Sequence, residues 1–186
     1  MTTIIVHKNK IYTDTRRTTS FYENGFLINS RYQEVRKIKV TDRYIFTGAG
    51  NSDLIEKLSN PICLSILLWL RLFIIFSFNP FRNTTVLIVK YKFREDFIGC
   101  DIIKLFNIGK FYLYFLKRSI KSTSTVMCGS GSQHIQFSDI DEKGPENCIV
   151  AASALDSFTN TNVEIFNVDT WQFEKEYVKN YISKAA

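Results

Sequence analysis

The chain has 186 residues, which is enough for one domain with a substantial buried core, because 45% of the residues are hydrophobic and 16 are Phe. This composition excludes a disordered or fibrous chain. Lys and Arg number 24 against 18 Asp and Glu, a net charge of +6. The excess is scattered and accompanies no nucleic-acid-binding module, so we expect no nucleic-acid partner.

The predicted elements fall into groups along the chain. Runs of β-branched and aromatic residues bounded by turn residues predict strands, at 2–7, 11–15, 35–40, 44–47, 84–93, 101–106, 111–116, 162–168 and 172–177. Helices are predicted from residue 54, over about 62–78, and over 145–158, where Pro145 suits the first turn. Strands, helices, strands, helix and strands in this order predict an α+β fold with helices layered on antiparallel sheets.

The predicted helix at about 62–78 is unusually apolar. Its 17 residues carry a single charge, Arg71. As a helix it is about 25 Å long, short of the roughly 30 Å hydrocarbon core of a bilayer, and a charge at its middle is costly in lipid. Two interpretations stay open: a helix covered by the protein's own sheet and a neighbouring subunit, or a membrane-associated segment.

The cysteines and histidines do not form a metal-binding pattern. The cysteines lie at 63, 100, 128 and 148, without CxxC or Cys/His spacing, and His7 and His134 are isolated. The N-terminus lacks the apolar run of a signal peptide. We therefore expect reduced thiols in a cytoplasmic protein, with no metal or cofactor.

Thr2 follows Met1 directly, and a small second residue generally permits removal of the initiator methionine. A threonine at the true N-terminus carries its own base, because the α-amino group has a pKa near 8 and is partly unprotonated at neutral pH. Many chains begin with Met-Thr, so this feature needs support from the rest of the sequence.

That support comes from motifs in a fixed order after Thr2. They are Thr13-Asp14-Thr15-Arg16, Val35-Arg36-Lys37, Gly48-Ala49-Gly50, Gly129-Ser130-Gly131, Asp156-Ser157-Phe158-Thr159 and Asn162-Val163-Glu164-Ile165. Together they resemble the proteasome β-subunit and HslV family of N-terminal-nucleophile threonine peptidases, from Thr2 to about Glu174. The opening is most similar to the HslV branch, and the later motifs are more similar to the proteasome β branch.

The resemblance implies a single domain over 1–186 with a four-layer αββα sandwich, two antiparallel sheets covered by helices. It implies a threonine-type endopeptidase that acts on polypeptides inside a ring-shaped homo-oligomer, with an ATP-dependent unfoldase as a further partner. The segment between Gly50 and Thr84 is shorter than in the family, which leaves ring size and unfoldase docking open.

The resemblance also implies roles for individual residues. Thr2 would be the nucleophile, Lys37 would lower the pKa of the site by its charge, and Asp14 would pair with Lys37. The Gly50 N–H would stabilise the oxyanion, with Gly48 as the alternative.

A second group of residues would surround the N-terminal amine. By resemblance, Ser130, Asp156 and Thr159 form this hydrogen-bonded network.

Four further residues fall near the substrate-pocket positions of the family: Arg17, Val35, Lys39 and Gly48. Two cations there would favour an acidic residue before the scissile bond. The alternative to a peptidase is a catalytically inactive, proteasome-like structural or interaction protein, membrane-associated through the segment 62–78.

Overall fold

A computed structural model describes residues 2–24, 26–41, 44–50, 84–90, 96–107, 110–121 and 124–177. Its elements, in chain order, are β1 (Thr3–His7), β2 (Lys10–Asp14), β3 (Arg16–Glu23), β4 (Phe26–Glu34), β5 (Lys39–Val40), β6 (Tyr44–Ala49), β7 (Thr84–Lys90), β8 (Asp96–Asn107), β9 (Lys110–Lys121), β10 (Val126–Gly129), a 3-10 turn (Gly131–His134), α1 (Phe137–Lys143), α2 (Pro145–Ser153), β11 (Val163–Asn167) and β12 (Gln172–Lys175).

The first sheet has the strand order β10-β1-β2-β11-β12, and all its neighbouring strands are antiparallel. β1 lies between β10 and β2, with Ile5 opposite both Met127 and Tyr12. The start of the chain is therefore held in the sheet from both sides. The second sheet has the order β5-β6-β7-β8-β9 and is also antiparallel.

The two sheets share one buried core cluster. Its fully described members come from both sheets and from the segments beside them: Ile4, Val6, Ile11, Ile38, Ile45, Ala49, Leu87, Val89, Phe166 and Val168. Side chains on a strand alternate between the two faces of its sheet. Ile4 and Val6 accordingly lie in this cluster, whereas Ile5 between them does not.

Ile5 belongs to a second core cluster, on the helical side of the first sheet. There α1 and α2 contribute Ile140, Cys148, Ile149 and Ala152. Since both faces of the first sheet are covered, every residue of β1 is buried. The described layers are thus helix, sheet and sheet, as the α+β prediction requires. The predicted helices from residue 54 and at 62–78 lie outside the described residues.

β3 and β4 form a separate two-stranded sheet, which the sequence analysis did not assign. The strands pair from Arg16 opposite Glu34 to Glu23 opposite Phe26, and Asn24 in the turn has a φ of 51°. Asn-Gly at 24–25 is a strong hairpin signal. β3 begins at Arg16, so the hairpin starts two residues after Asp14, the last residue of β2.

Several boundary predictions were wrong. The strands predicted at 101–106 and 111–116 are parts of longer strands, β8 and β9, of twelve residues each. Residues 35–38 have no regular structure, so the predicted strand 35–40 is reduced to Lys39–Val40. The helix predicted over 145–158 ends at Ser153, and a separate helix, Phe137–Lys143, precedes it. In the described part of the chain, no helix combines the length and the apolar character needed to cross a membrane.

Candidate active site

Thr2 lies immediately before β1 and is only 3% exposed. Its hydroxyl donates a hydrogen bond of 2.5 Å to Oδ1 of Asp14 and accepts one from Nζ of Lys37. Because Asp14 ends β2 and β2 pairs with β1, the strand register itself brings the carboxylate to the start of the chain. Three predicted site residues therefore meet at one hydroxyl group.

Asp14 is fully buried and has partners on both carboxylate oxygens. Oδ1 accepts a hydrogen bond of 2.7 Å from the amide of Thr3, and Oδ2 accepts one of 3.0 Å from the amide of Arg16. Lys37 Nζ lies 3.0 Å from each oxygen. A buried carboxylate that accepts this many hydrogen bonds is held in one orientation.

Lys37 forms the buried counterpart of this carboxylate, with a side chain only 10% exposed. Burial lowers its pKa to about 8, although the charge of Asp14 and its hydrogen bonds act in the opposite direction. The ammonium and amine forms are therefore both accessible near neutral pH. A lysine with such a pKa can gain or lose a proton when the charge at the Thr2 hydroxyl changes.

The backbone beside Lys37 is bound by Glu164, a fully buried residue of β11. Oε2 of Glu164 accepts hydrogen bonds from the amides of Lys37, at 2.8 Å, and Ile38, at 3.3 Å. Burial raises the pKa of Glu164, and these amides oppose the shift. Glu164 was not predicted as a site residue, because one acidic residue in a strand usually indicates a solvent-facing position.

A second hydrogen-bonded network lies around Asp156. Its Oδ2 accepts bonds from the hydroxyls of Ser130, at 2.6 Å, and Thr159, at 2.7 Å, and its Oδ1 accepts one from the amide of Phe158. Burial opposes ionisation, but these hydrogen bonds hold the pKa of Asp156 below its usual value. Asp156 follows α2 in a turn and does not belong to the helix that was predicted over 145–158, and Thr159 lies three residues further on.

Thr3 joins the two networks. Its amide donates to Asp14, and its hydroxyl lies 2.7 Å from that of Thr159. Thr2 is thus followed by a residue that contacts both groups of predicted site residues. Thr3 was not predicted as a site residue, and the Thr-Thr doublet at positions 2 and 3 was the available signal.

Two glycines flank Ser130 where the chain passes close to β1. A Cβ atom on Gly129, whose φ is 97°, would lie 1.7 Å from the carbonyl oxygen of Thr2, and one on Gly131 would lie 2.0 Å from Oγ1 of Thr3. Only glycine fits such close approaches. The Gly-Ser-Gly motif therefore allows Ser130 to sit beside the start of β1.

The two oxyanion candidates lie at the end of β6. Gly48 is buried within the strand and pairs with Val86, and Gly50 follows the strand with a φ of 118°. Ala49 between them packs in the same core cluster as Ile4. The oxyanion role of Gly50 or Gly48 stays a prediction.

The other pocket candidates are distributed over three elements. Arg17 lies in β3, Lys39 lies in β5, and Val35 lies between β4 and β5, where its amide donates to the carbonyl of Thr15 at 2.8 Å. All three side chains are partly exposed. Their role in a substrate pocket stays a prediction. Within the described ranges, no group of three or more His, Cys, Asp or Glu residues is arranged to hold a metal ion.

The layered antiparallel sheets are compatible with a proteasome-like fold. A solved structure to which the chain is similar is Anbu (ancestral beta-subunit) from Yersinia bercovieri, with a TM-score of 0.53 and 10% sequence identity. The match covers 95% of this chain and 86% of that chain.

No protein-family model matches the chain, and a search of curated proteins finds no match. At 10% identity the structural likeness concerns the fold alone. It supports the proteasome-like fold predicted from the sequence and no narrower family.

Proposed function

We propose that the chain is a threonine-type endopeptidase that hydrolyses peptide bonds with Thr2 as its N-terminal nucleophile, after removal of Met1. The observation that supports this proposal is the Thr2 hydroxyl, which hydrogen-bonds both the carboxylate of Asp14 and the ammonium of Lys37 in a buried site. A hydroxyl with only a structural role does not require a buried ion pair, because burying two charges is costly.

The chemistry assigns each group one step. The α-amino group of Thr2 accepts the hydroxyl proton, and Oγ1 attacks the carbonyl carbon of the scissile bond. Lys37, as a cation, stabilises the developing negative charge on Oγ1. The N–H of Gly50 donates to the carbonyl oxygen as it becomes an oxyanion.

The tetrahedral intermediate then collapses. The C–N bond breaks, the leaving amine takes the proton from the α-ammonium group, and an ester of Thr2 forms. A water molecule, deprotonated by the α-amine, hydrolyses the ester and restores the hydroxyl. Ser130, Asp156 and Thr159 hold the chain terminus in place for these transfers, since Thr159 contacts Thr3 and both Ser130 and Thr159 donate to Asp156.

The proposal extends to the assembly. The similar structure is an ancestral beta-subunit, which supports a role for this chain as a subunit of an oligomer. We propose a cytoplasmic homo-oligomeric ring that encloses the sites, served by an ATP-dependent unfoldase. The single domain 1–186 would be completed to a four-layer αββα sandwich by the apolar helix at about 62–78, which would also supply a subunit contact.

Hydrolysis of a fluorogenic peptide series by purified protein tests this function. We expect wild type to cleave, Thr2→Ala to show no turnover, and Thr2→Ser to retain measurable activity. Thr170→Ala is the matched control, because Thr170 is exposed and far along the chain. Turnover by Thr2→Ala equal to wild type would refute the nucleophile.

The same series tests the pocket. Arg17 and Lys39 would favour cleavage after Glu. Faster cleavage after Leu or Phe would remove this part of the proposal and leave the nucleophile in place. No cleavage by any oligomeric preparation would favour the inactive, structural alternative.

A further inference from the structure

We infer that Glu164 is a positioning residue that holds Lys37 against Thr2 and Asp14. This inference rests on the proposed function, because it explains how the lysine of the peptidase site is kept in place. In the described contacts, Glu164 does not touch Thr2. It acts through the backbone of the segment that carries Lys37.

The segment 35–38 needs an anchor because it has no regular structure. Strand pairing begins only at Lys39, opposite Phe46. Before Lys37, the Val35 amide is bound to the Thr15 carbonyl. At Lys37 itself, the hydrogen-bond acceptor for the main chain is Oε2 of Glu164, which also takes the Ile38 amide.

The strand register makes this anchor rigid relative to Asp14. β11 pairs with β2 so that Val163 lies opposite Asp14 and Glu164 lies opposite Thr13. Asp14 binds the ammonium group of Lys37, and Glu164 binds its amide. Residues of one strand pair therefore bind both the ammonium group and the backbone amide of Lys37. These two contacts fix where Nζ lies relative to Thr2.

The chemistry of Glu164 is unusual for its location. Its neighbours Val163, Ile165 and Phe166 are buried apolar residues, and Glu164 itself is 0% exposed. A buried carboxylate is costly unless it is hydrogen-bonded. An apolar residue would pack there at lower free-energy cost. The presence of a carboxylate therefore indicates that its hydrogen bonds to the amides of Lys37 and Ile38 are needed.

Glu164 also influences the charge state of Lys37. Burial lowers the pKa of Lys37, and the negative charges of Asp14, Glu164 and Asp156 each raise it. The positive charge of Arg36 lowers the pKa of Glu164 and so favours its ionised form. Replacing Glu164 by a neutral residue therefore lowers the pKa of Lys37.

The test compares Glu164→Gln and Glu164→Leu with wild type, and Glu174→Gln is the control. Glu174 is an exposed glutamate of β12 that pairs with Lys10. Two quantities are measured on the full chain: the rate at which a peptide epoxyketone modifies Thr2, and the pKa of Lys37 from NMR titration of its labelled side chain.

We expect Glu164→Leu to slow modification by about 10²-fold, since a displacement of about 1 Å costs that much. Glu164→Gln keeps an acceptor oxygen and should recover at least tenfold of this loss, because a neutral acceptor is about half as strong as a charged one. The pKa of Lys37 should fall in both variants, and Glu174→Gln should match wild type in both quantities.

A folded Glu164→Leu variant that reacts at the wild-type rate would overturn the inference. If Glu164→Leu does not fold, Glu164→Ala decides by the same rate: modification at the wild-type rate overturns the inference, and slowed modification supports it. If wild type forms no adduct, the proposed function fails, and the Lys37 titration still tests whether Glu164 controls this lysine.

Discussion

Replacing Asp14 by Asn is the sharpest perturbation of the candidate site, because it removes one charge from a buried pair and leaves the shape almost unchanged. Asp14 is 0% exposed, and the side chain of its partner Lys37 is 10% exposed. The variant leaves the lysine without its counter-charge. It also places an amide group against the N–H of Thr3 or Arg16, only one of which it can accept.

Two effects set the magnitude. The pKa of Lys37 is about 8 in the folded protein, so at pH 7 the neutral amine of the folded protein lies about 1 kcal/mol above the ammonium form, and a variant whose buried Lys37 is neutral loses about this much stability. One orphaned backbone donor costs a further 1–3 kcal/mol or so. We expect the free energy of unfolding to fall by about 3 kcal/mol at pH 7, which corresponds to a loss of about 6–12 °C in Tm for a domain of this size.

The sign of the pH dependence follows from the Lys37 pKa, which lies below its ordinary value of 10.5 in the folded state. Unfolded chains therefore bind more protons than folded ones between pH 8 and 10.5, and wild-type stability rises with pH in that window. In Asp14→Asn the folded-state pKa is lower still, so the rise begins at lower pH. The difference between the two proteins should shrink between pH 6.5 and 9.

Urea unfolding followed by circular dichroism at pH 6.5, 7.5 and 9 measures this difference. Asp139→Asn is the control, because Asp139 pairs with Lys143 at the surface and with the backbone of Gln136, and its replacement should lower stability only slightly and by the same amount at each pH. A variant as stable as wild type at pH 6.5, or a deficit that grows toward pH 9, would refute the buried ion pair as described.

Three further predictions concern the rate of Thr2 modification and the stability of the network. Because the pKa of Lys37 is about 8, modification should slow as the pH rises above 8 and the ammonium is lost; a rate that still climbs at pH 10 would contradict a cationic role. Gly131→Ala places a Cβ 2.0 Å from the Thr3 hydroxyl and should slow modification about 10²-fold, whereas Thr170→Ala, at an exposed position, should keep the rate. Thr3→Val removes the hydroxyl bonded to Thr159 and should lower the free energy of unfolding by about 1–2 kcal/mol in urea titrations, and Thr3→Ser should restore most of it.

Much of the framework could be predicted from local pattern. β1 and β2 are short β-branched runs on either side of a turn at Lys8 and Asn9, both of which have positive φ. The turn sets the register, and the register places Asp14 beside Thr2. Because these steps involve neighbouring parts of the chain, sequence pattern predicts them well.

The rest depends on contacts between distant parts of the chain. The sequence pattern predicts a strand over residues 35–38. In the structure, the amides of Lys37 and Ile38 instead bind the carboxylate of Glu164, which lies 127 positions from Lys37. Strand propensity cannot reveal that interaction. Thr3 was missed for a similar reason, since its partner Thr159 lies 156 positions away.

The hairpin of β3 and β4 was missed although the sequence carried its signal. Asn24 precedes a glycine, and the strands on either side alternate only weakly, with Phe26 and Ile28 both exposed. Weak alternation reduces the strand signal, because period-2 burial is what pattern analysis detects. The turn residues alone would have identified it.

The measurement that tests the central claim most directly is the intact mass of the purified protein, before and after treatment with a peptide epoxyketone. The account predicts a mass that lacks Met1 and then one covalent adduct per chain, located at Thr2 by fragmentation and absent from Thr2→Ala. Retention of Met1 in an assembled protein, with no adduct at Thr2, would contradict it.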